Sequence, residues 1–341
     1  MTLAALDVTA PAWAATLGLI AGLLALDLLV SGRRPHAVEF REAVGWSLLY
    51  IGVAIAFGIA FGAIAGWDSG AEYFAGYIVE KSLSVDNLFV FVVIMTTFAV
   101  PREHQQRVLT FGILGALVLR AIFIALGAAL LAAFSFMFVL FGLLLIFTGV
   151  QLFRHRDEDP AVEDNAIVAF ARRRLPFTDS YASGKLWLRE NGRRVFTPLF
   201  LVLLSIATVD VLFALDSIPA IFGVTEEPYI VFAANAFALL GLRALYFLVS
   251  GLLDRLVYLS TGLATILIFI GVKLVLHYLH KQDGSIPEVS IGLSLTVIVA
   301  ILAVSTLASL AKTRRDPAAR AHAGSLRGHE REREGPPAGG P

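Results

Sequence analysis

Residues 80–91 read EKSLSVDNLFVF and residues 210–222 read DVLFALDSIPAIF, two apolar runs that each carry a pair of acids six positions apart. Glu80 aligns with Asp210, and Asp86 with Asp216. The likeness continues downstream. Leu119-Arg120-Ala121 matches Leu242-Arg243-Ala244, and LIFTGVQL (145–152) matches LIFIGVKL (267–274). Arg120 lies 29 positions before Gly149, and Arg243 lies 28 before Gly271. Asp86 lies 34 positions before Arg120, but Asp216 only 27 before Arg243, so the first connection differs by about two helical turns.

The segments around these motifs are long enough to cross a bilayer, which takes roughly 20 apolar residues per helix. Hydrophobic residues make up 57% of the 341, and mean hydropathy is +0.78, far above what a water-soluble domain carries. Nine spans are expected, at about 12–31, 42–66, 72–98, 106–127, 132–153, 197–223, 228–250, 256–279 and 288–311. The fold class is therefore all-α, a polytopic membrane helix bundle. The transmembrane domain covers residues 1–311, with repeat one at about 72–153 and repeat two at about 197–279. A cytoplasmic loop is expected at 154–196 and a disordered cytoplasmic tail at 312–341. The loop holds an acidic patch (Asp157, Glu158, Asp159, Glu163, Asp164) and basic clusters (Arg172-Arg173-Arg174, Arg193-Arg194), which read as a solvated segment or a regulatory one.

Three spans per copy is an odd number, so the second copy must sit upside down relative to the first. An inverted repeat of three plus three helices is the architecture of many secondary transporters, whose substrate sites lie between the halves near the midplane. The same duplication can serve as a packing scaffold. Orientation follows from basic residues. With the N-terminus outside, 22 of the 27 Lys and Arg fall in inner segments, Lys281 alone falls in an outer one, and four lie inside spans. The first span is preceded by no basic segment and followed by Arg33-Arg34, which suits an uncleaved helix rather than a signal peptide.

Glu80, Asp86, Asp210 and Asp216 are expected inside the membrane, with Asp27 near the inner end of the first span. Such carboxylates are costly unless paired or hydrated. Lys81, Arg120, Arg243 and Lys273 are four cations that could balance the four repeat acids. The alternative is a cation site shared by the two motifs. Positions i and i+6 lie about 120° apart on an ideal helix, so one straight helix cannot aim both of its acids at one ion. Pro219 is expected to break the second motif's helix and free the carbonyl of Leu215 beside Asp216 and Ser217. Asp86 and Asp216 would then come close enough to share the ion. Glu80, Ser84 and Asn87 share a helix stripe and offer further oxygens. There is no cysteine, and the seven histidines lie in or beside polar segments, which leaves an all-oxygen donor set. That set suits Mn²⁺, Mg²⁺ or Ca²⁺ rather than zinc or copper.

At these motifs the chain resembles the TerC/Alx family of integral membrane proteins. The stretches that carry the resemblance are EKSLSVDN (80–87), TPLFLVLL (197–204), FALDSIPAIFGVT (213–225) and NAFALLGLRALYF (235–247), in family order, and it covers roughly residues 15–310. The resemblance implies a bacterial inner-membrane protein, in a family named for tellurium resistance with members that export Mn²⁺. It implies metal ligands at Glu80, Asp86, Asn87, Asp210, Asp216 and Ser217, with Asn235 as a further candidate. The chain departs from the family pattern at Ala207, where many members carry a glutamate.

The expectation is thus a secondary transporter exporting a divalent metal cation, manganese first, in exchange for protons. Its partners are the metal substrate and the bilayer. No cofactor, enzymatic activity or nucleic-acid partner is expected, since net charge is zero and a GxGD protease signature is absent. The alternative is a factor that helps insert or assemble other membrane proteins without transport.

Overall fold

The computed structural model describes residues 8–32, 40–155, 166–178, 181, 185–190, 193–249 and 256–316. All nine expected segments are helical. They are α1 (Ala10–Gly32), α2 (Phe40–Ala65), α3 (Trp67–Thr97), α4 (Arg102–Ala133), α5 (Met137–Arg154), α7 (Pro198–Phe222), α8 (Pro228–Leu240) with α9 (Leu242–Val249), α10 (Leu259–Gln282) and α11 (Ile291–Arg315). Seven of these helices are long and apolar enough to cross a membrane, or eight spans if α8 and α9 count as one. The chain is a polytopic all-α bundle. The exception by composition is α3, which carries Asp68, Glu72, Glu80, Lys81 and Asp86, yet it packs against α8, α2, α7 and α11 in the interior.

Two glycine-dependent approaches set the packing. α2 and α3 are joined by the single residue Gly66, whose φ of 100° is a conformation that a side chain would disfavour. α5 and α10 run antiparallel in close contact. A Cβ on Gly149 would stand 2.7 Å from Ile268 Cγ1 and 2.8 Å from the carbonyl of Ala264. A Cβ on Gly271 would stand 2.8 Å from Ile146 Cγ1 and 2.6 Å from the carbonyl of Gly142. In the LIFxGVxL alignment Gly149 corresponds to Gly271, Ile146 to Ile268 and Gly142 to Ala264. Each contact therefore has its mirror under exchange of the two segments. The larger pattern agrees: α3 packs on α8 as α7 packs on α4.

At the centre is α8, every residue of which from Tyr229 to Leu240 is buried. It ends at Gly241, where the chain bends by 40° into α9. Gly241 leaves no room for more: an added Cβ would lie 3.2 Å from both Lys81 Nζ and Tyr50 Cβ. The outward-facing leucines and isoleucines of α1, α2, α4, α5 and α11 form the surface that meets lipid.

Two sequence expectations need correction. α7 runs unbroken through Pro219 to Phe222, so the motif is not unwound there. The proline sits in the last turn, where it costs a single backbone bond, and Gly223 N–H still bonds the Pro219 carbonyl at 2.9 Å. The break occurs in the helix pair α8–α9 instead. The segment 154–196 is also not simply solvated. It contains α6 (Ala166–Arg174) and an antiparallel hairpin of β1 (Trp187–Glu190) and β2 (Arg193–Phe196), with α6 packed on α7. The acidic patch 157–164 and the tail beyond 316 lie outside the described residues.

Beyond the helix ends, Glu226 in the α7–α8 connection meets His277 Nε2 at 2.7 Å and Lys281 Nζ at 3.0 Å. The His277 contact, then Lys281, holds its carboxyl down at about 2. That contribution to stability is complete above the ordinary value of 4.5 and is lost as pH falls from there toward 2.

The α5–α10 contact predicts a steric test. Gly149→Val or Gly271→Val should force the two backbones apart, costing about 1–3 kcal/mol or more. The loss would be read as a lower melting temperature in detergent by size-exclusion. Gly115→Val, where an added Cβ meets nothing within 4 Å, should leave the melting temperature unchanged.

Candidate metal centre

The two acidic motifs meet inside the bundle around one guanidinium. Arg120 lies on α4 and is fully buried. Its Nη1 donates to Glu80 Oε1 on α3 and, at 3.0 Å, to Ser217 Oγ on α7. Its Nη2 approaches Asp210 Oδ1 on α7 at 3.4 Å. With its amide oriented to suit its neighbours, Asn87 accepts from Nη2 at 3.2 Å and donates to the Leu83 carbonyl at 3.0 Å. Ser84 Oγ adds a contact to Glu80 Oε1 at 3.4 Å.

Helical spacing explains the convergence. Glu80 and Asn87 are seven positions apart, two turns along one face of α3, and so are Asp210 and Ser217 on α7. The partner of each first acid is thus the residue after the second acid. Asp216 accepts from Thr148 Oγ1 of α5 at 3.0 Å, and the side chain of Asp86 lies outside the described residues.

Four of the six residues singled out from sequence therefore share one cation: Glu80, Asn87, Asp210 and Ser217. The expected sharing of an ion by Asp86 and Asp216 rests on the Asp86 side chain, which lies outside the described residues. The assignment of cations needs correction. Of the four, Arg120 takes the balancing role for Glu80 and Asp210. Lys81 turns the other way and donates to the Ala238 carbonyl at 3.1 Å, near the C-terminal, partly negative end of α8. Arg243 pairs with Asp27 of α1, which also accepts from Tyr50 Oη at 3.1 Å. Lys273 lies on α10, outside the three helices that meet at Arg120. The duplication placed Arg120 and Arg243 alike in the repeats, but α1 and α2, which lie outside the repeats, supply Arg243 with a different acid.

Sequence reasoning missed Thr148, whose hydroxyl was hidden in an apolar stretch, and Glu72, which bonds Thr225 Oγ1 at 2.5 Å. The LIFTGVQL/LIFIGVKL match held a signal for the first: Thr148 stands where the second copy has Ile270.

The site's chemistry is defined by what Arg120 leaves over. Glu80 is 0% exposed and Asp210 2%, and their second oxygens, Oε2 and Oδ2, accept no hydrogen bond among the described residues. Asn235 on α8, 1% exposed, has both amide atoms in the same condition. Two carboxylates against one guanidinium leave an excess of negative charge in low dielectric, which favours a further cation. Among the described residues no three Asp, Glu or His side chains already surround a common point.

The family description "Integral membrane protein TerC family" matches residues 65–317, which includes both motifs. The chain belongs to the TerC family. Among its relatives is an uncharacterized membrane protein of Myxococcus xanthus, 44% identical over 311 residues, covering 91% of this chain and 95% of that one. An uncharacterized membrane protein of Mycobacterium tuberculosis is 48% identical over 313 residues, covering 87% and 78%. Alx of Escherichia coli, whose name proposes a membrane-bound redox modulator, is 39% identical over 303 residues, covering 86% and 92%. No solved structure matches the chain.

Arg120 generates a stability prediction with a built-in rescue. Arg120→Gln leaves two buried carboxylates without their cation and should cost about 3–5 kcal/mol, read as a lower melting temperature. Adding Glu80→Gln and Asp210→Asn in the same chain should recover most of the loss. A single variant as stable as the wild type, or no recovery in the triple variant, would mean that the ion cluster does not hold the three helices together.

Proposed function

We propose that this TerC protein is a secondary transporter that exports a hard divalent cation, manganese being the first candidate, in exchange for protons. The observation that supports it best is the pair of spare carboxylate oxygens, Glu80 Oε2 and Asp210 Oδ2, contributed by two related motifs to one buried cluster. On this reading the arrangement with Arg120 between the acids is the metal-free state. The guanidinium occupies the cation position and is displaced when the ion arrives. Asn87, Ser217 and Asn235 would add neutral oxygens, completing a donor set without sulfur or imidazole that suits Mn²⁺, Mg²⁺ or Ca²⁺.

Asp216 and Asp86 take the role of a second step along the path. They lie six positions beyond Glu80 and Asp210, roughly 9 Å further along each helix axis at 1.5 Å per residue. Carboxylates released by the metal can take up protons, because an unpaired buried acid is protonated more readily. Proton return then follows from the same groups that bind the metal. The reciprocal contacts of α5 with α10 support an inverted relation of the two halves, and rocking of one half against the other would expose the cluster to each side in turn. Counting α3 as a span gives nine crossings. The basic asymmetry then sets the N-terminus outside and the C-terminus in the cytoplasm of a bacterium, with the chain in the inner membrane.

The name of the Escherichia coli relative raises a redox role. A thiol-based redox reaction has no residue to act through here, since the chain contains no cysteine. No catalytic function is proposed, and no cofactor beyond the transported ion.

The test is Mn²⁺ flux into proteoliposomes, with and without a proton gradient. Glu80→Gln, Asp210→Asn, Asp86→Asn and Asp216→Asn keep size and remove charge. Each should lower flux tenfold or more, on the order of the 1.4 kcal/mol that a factor of ten represents, while the protein still elutes as one species. Undiminished flux in Glu80→Gln and Asp210→Asn would defeat the assignment of the site. Absence of metal flux in the wild-type protein would favour the assembly role instead.

A further inference from the structure

The segment joining the two halves carries an unexplained surface. α6 (sequence AIVAFARRR) buries Val168 and Ala171 against Leu201 at the start of α7, with Phe98, Phe177 and Leu204 packed around them. The opposite side is largely open to its surroundings. Ile167 is 50% exposed and Phe170 62%, and they are followed by the exposed Arg172, Arg173 and Arg174. Arg172 lies over the Phe98 ring at 5.7 Å and Arg174 over Phe170 at 5.6 Å, so both charges are held beside apolar rings.

Position decides what such a face meets. Phe98 caps the C-terminal end of α3, and Leu201 and Leu204 lie in the first two turns of α7, the helix that re-enters the bundle. α6 therefore sits at the rim of the bundle, level with the ends of helices whose outer faces contact lipid. Residues 167, 170 and 174 share one helical stripe, apolar at one end and cationic at the other.

We propose that α6 is an interfacial anchor that binds anionic phospholipid. Phe170 and Ile167 enter the acyl boundary beside α7, and Arg172, Arg173 and Arg174 hold phosphate groups in the headgroup layer. A short helix with bulky apolar residues on one side and arginines beside them is the composition that lies in the plane of a membrane surface. Juxtamembrane arginines are drawn to anionic leaflets, and the attraction decays within a Debye length. The chain's own acidic patch at 157–164 could neutralise the arginines, but it offers nothing apolar to Phe170 apart from Ala161 and Val162. The combined apolar and cationic surface favours lipid. The consequence is that the link between the two halves is fixed to the membrane plane by lipid charge.

The absence of cysteine makes the test direct, because a Phe170→Cys chain carries a nitroxide label at one position only. The full-length protein is reconstituted in vesicles of phosphatidylcholine alone or mixed with phosphatidylglycerol. Collision rates of the label with oxygen and with a water-soluble nickel chelate report its depth. In phosphatidylglycerol vesicles oxygen contact should dominate. The same label in an Arg172→Gln, Arg173→Gln, Arg174→Gln background, or in neutral vesicles at high salt, should become roughly tenfold or more accessible to nickel. A label as open to nickel in phosphatidylglycerol vesicles as a free spin label in water would overturn the proposal. So would a label shielded from both reagents in every vesicle, since that would mean the chain itself covers α6.

Discussion

A guanidinium buried in the middle of a membrane bundle is the constraint around which the other contacts are arranged. Arg120 cannot lose its charge, and in low dielectric it is tolerable only with carboxylates at its donors. Glu80 from α3 and Asp210 from α7 meet that demand, so three helices are fixed to one point. The neutral oxygens of Asn87 and Ser217 take further N–H groups, which spares the cluster a third acid. Removing the guanidinium would leave two buried carboxylates without their cation, so the three helices depend on it.

Around this point several contacts recur between the two segments of like sequence, with one asymmetry. α5 and α10 touch through reciprocal glycine contacts, and α3 relates to α8 as α7 relates to α4. Arg243, the counterpart of Arg120, is withdrawn from the centre by Asp27 and Tyr50, which belong to α1 and α2. The helices outside the repeat thus leave the cluster with one guanidinium rather than two. With two it would be neutral. With one it holds spare acceptors.

The helices were legible in the sequence because bilayer thickness demands long apolar runs, and the site was legible because charge inside those runs is expensive. Glu80 and Asp210 could be named before their geometry was known for that reason, Asn87 by the helix stripe it shares with Glu80, and Ser217 by the resemblance to the TerC/Alx family. The pairing of cations was not legible. Four basic residues stood near four acids, and only packing showed that Lys81 turns to a helix-end carbonyl and Arg243 to Asp27. Pro219 misled for a related reason. Its effect depends on how far the helix continues, and α7 ends three residues later, while the break falls at Gly241, which no proline marks. Thr148 was missed because one hydroxyl in an apolar run changes neither length nor hydropathy, and its only mark was the mismatch with Ile270 in the second copy.

The central claim is that a divalent ion takes the place of the Arg120 guanidinium between Glu80 and Asp210. An experimental structure of the protein in lipid with Mn²⁺, with the metal located by its anomalous scattering or density, tests this most directly. The account predicts the ion coordinated by Glu80 and Asp210 with Arg120 withdrawn from between them. Manganese bound elsewhere, with Arg120 still bridging the two acids, would contradict it.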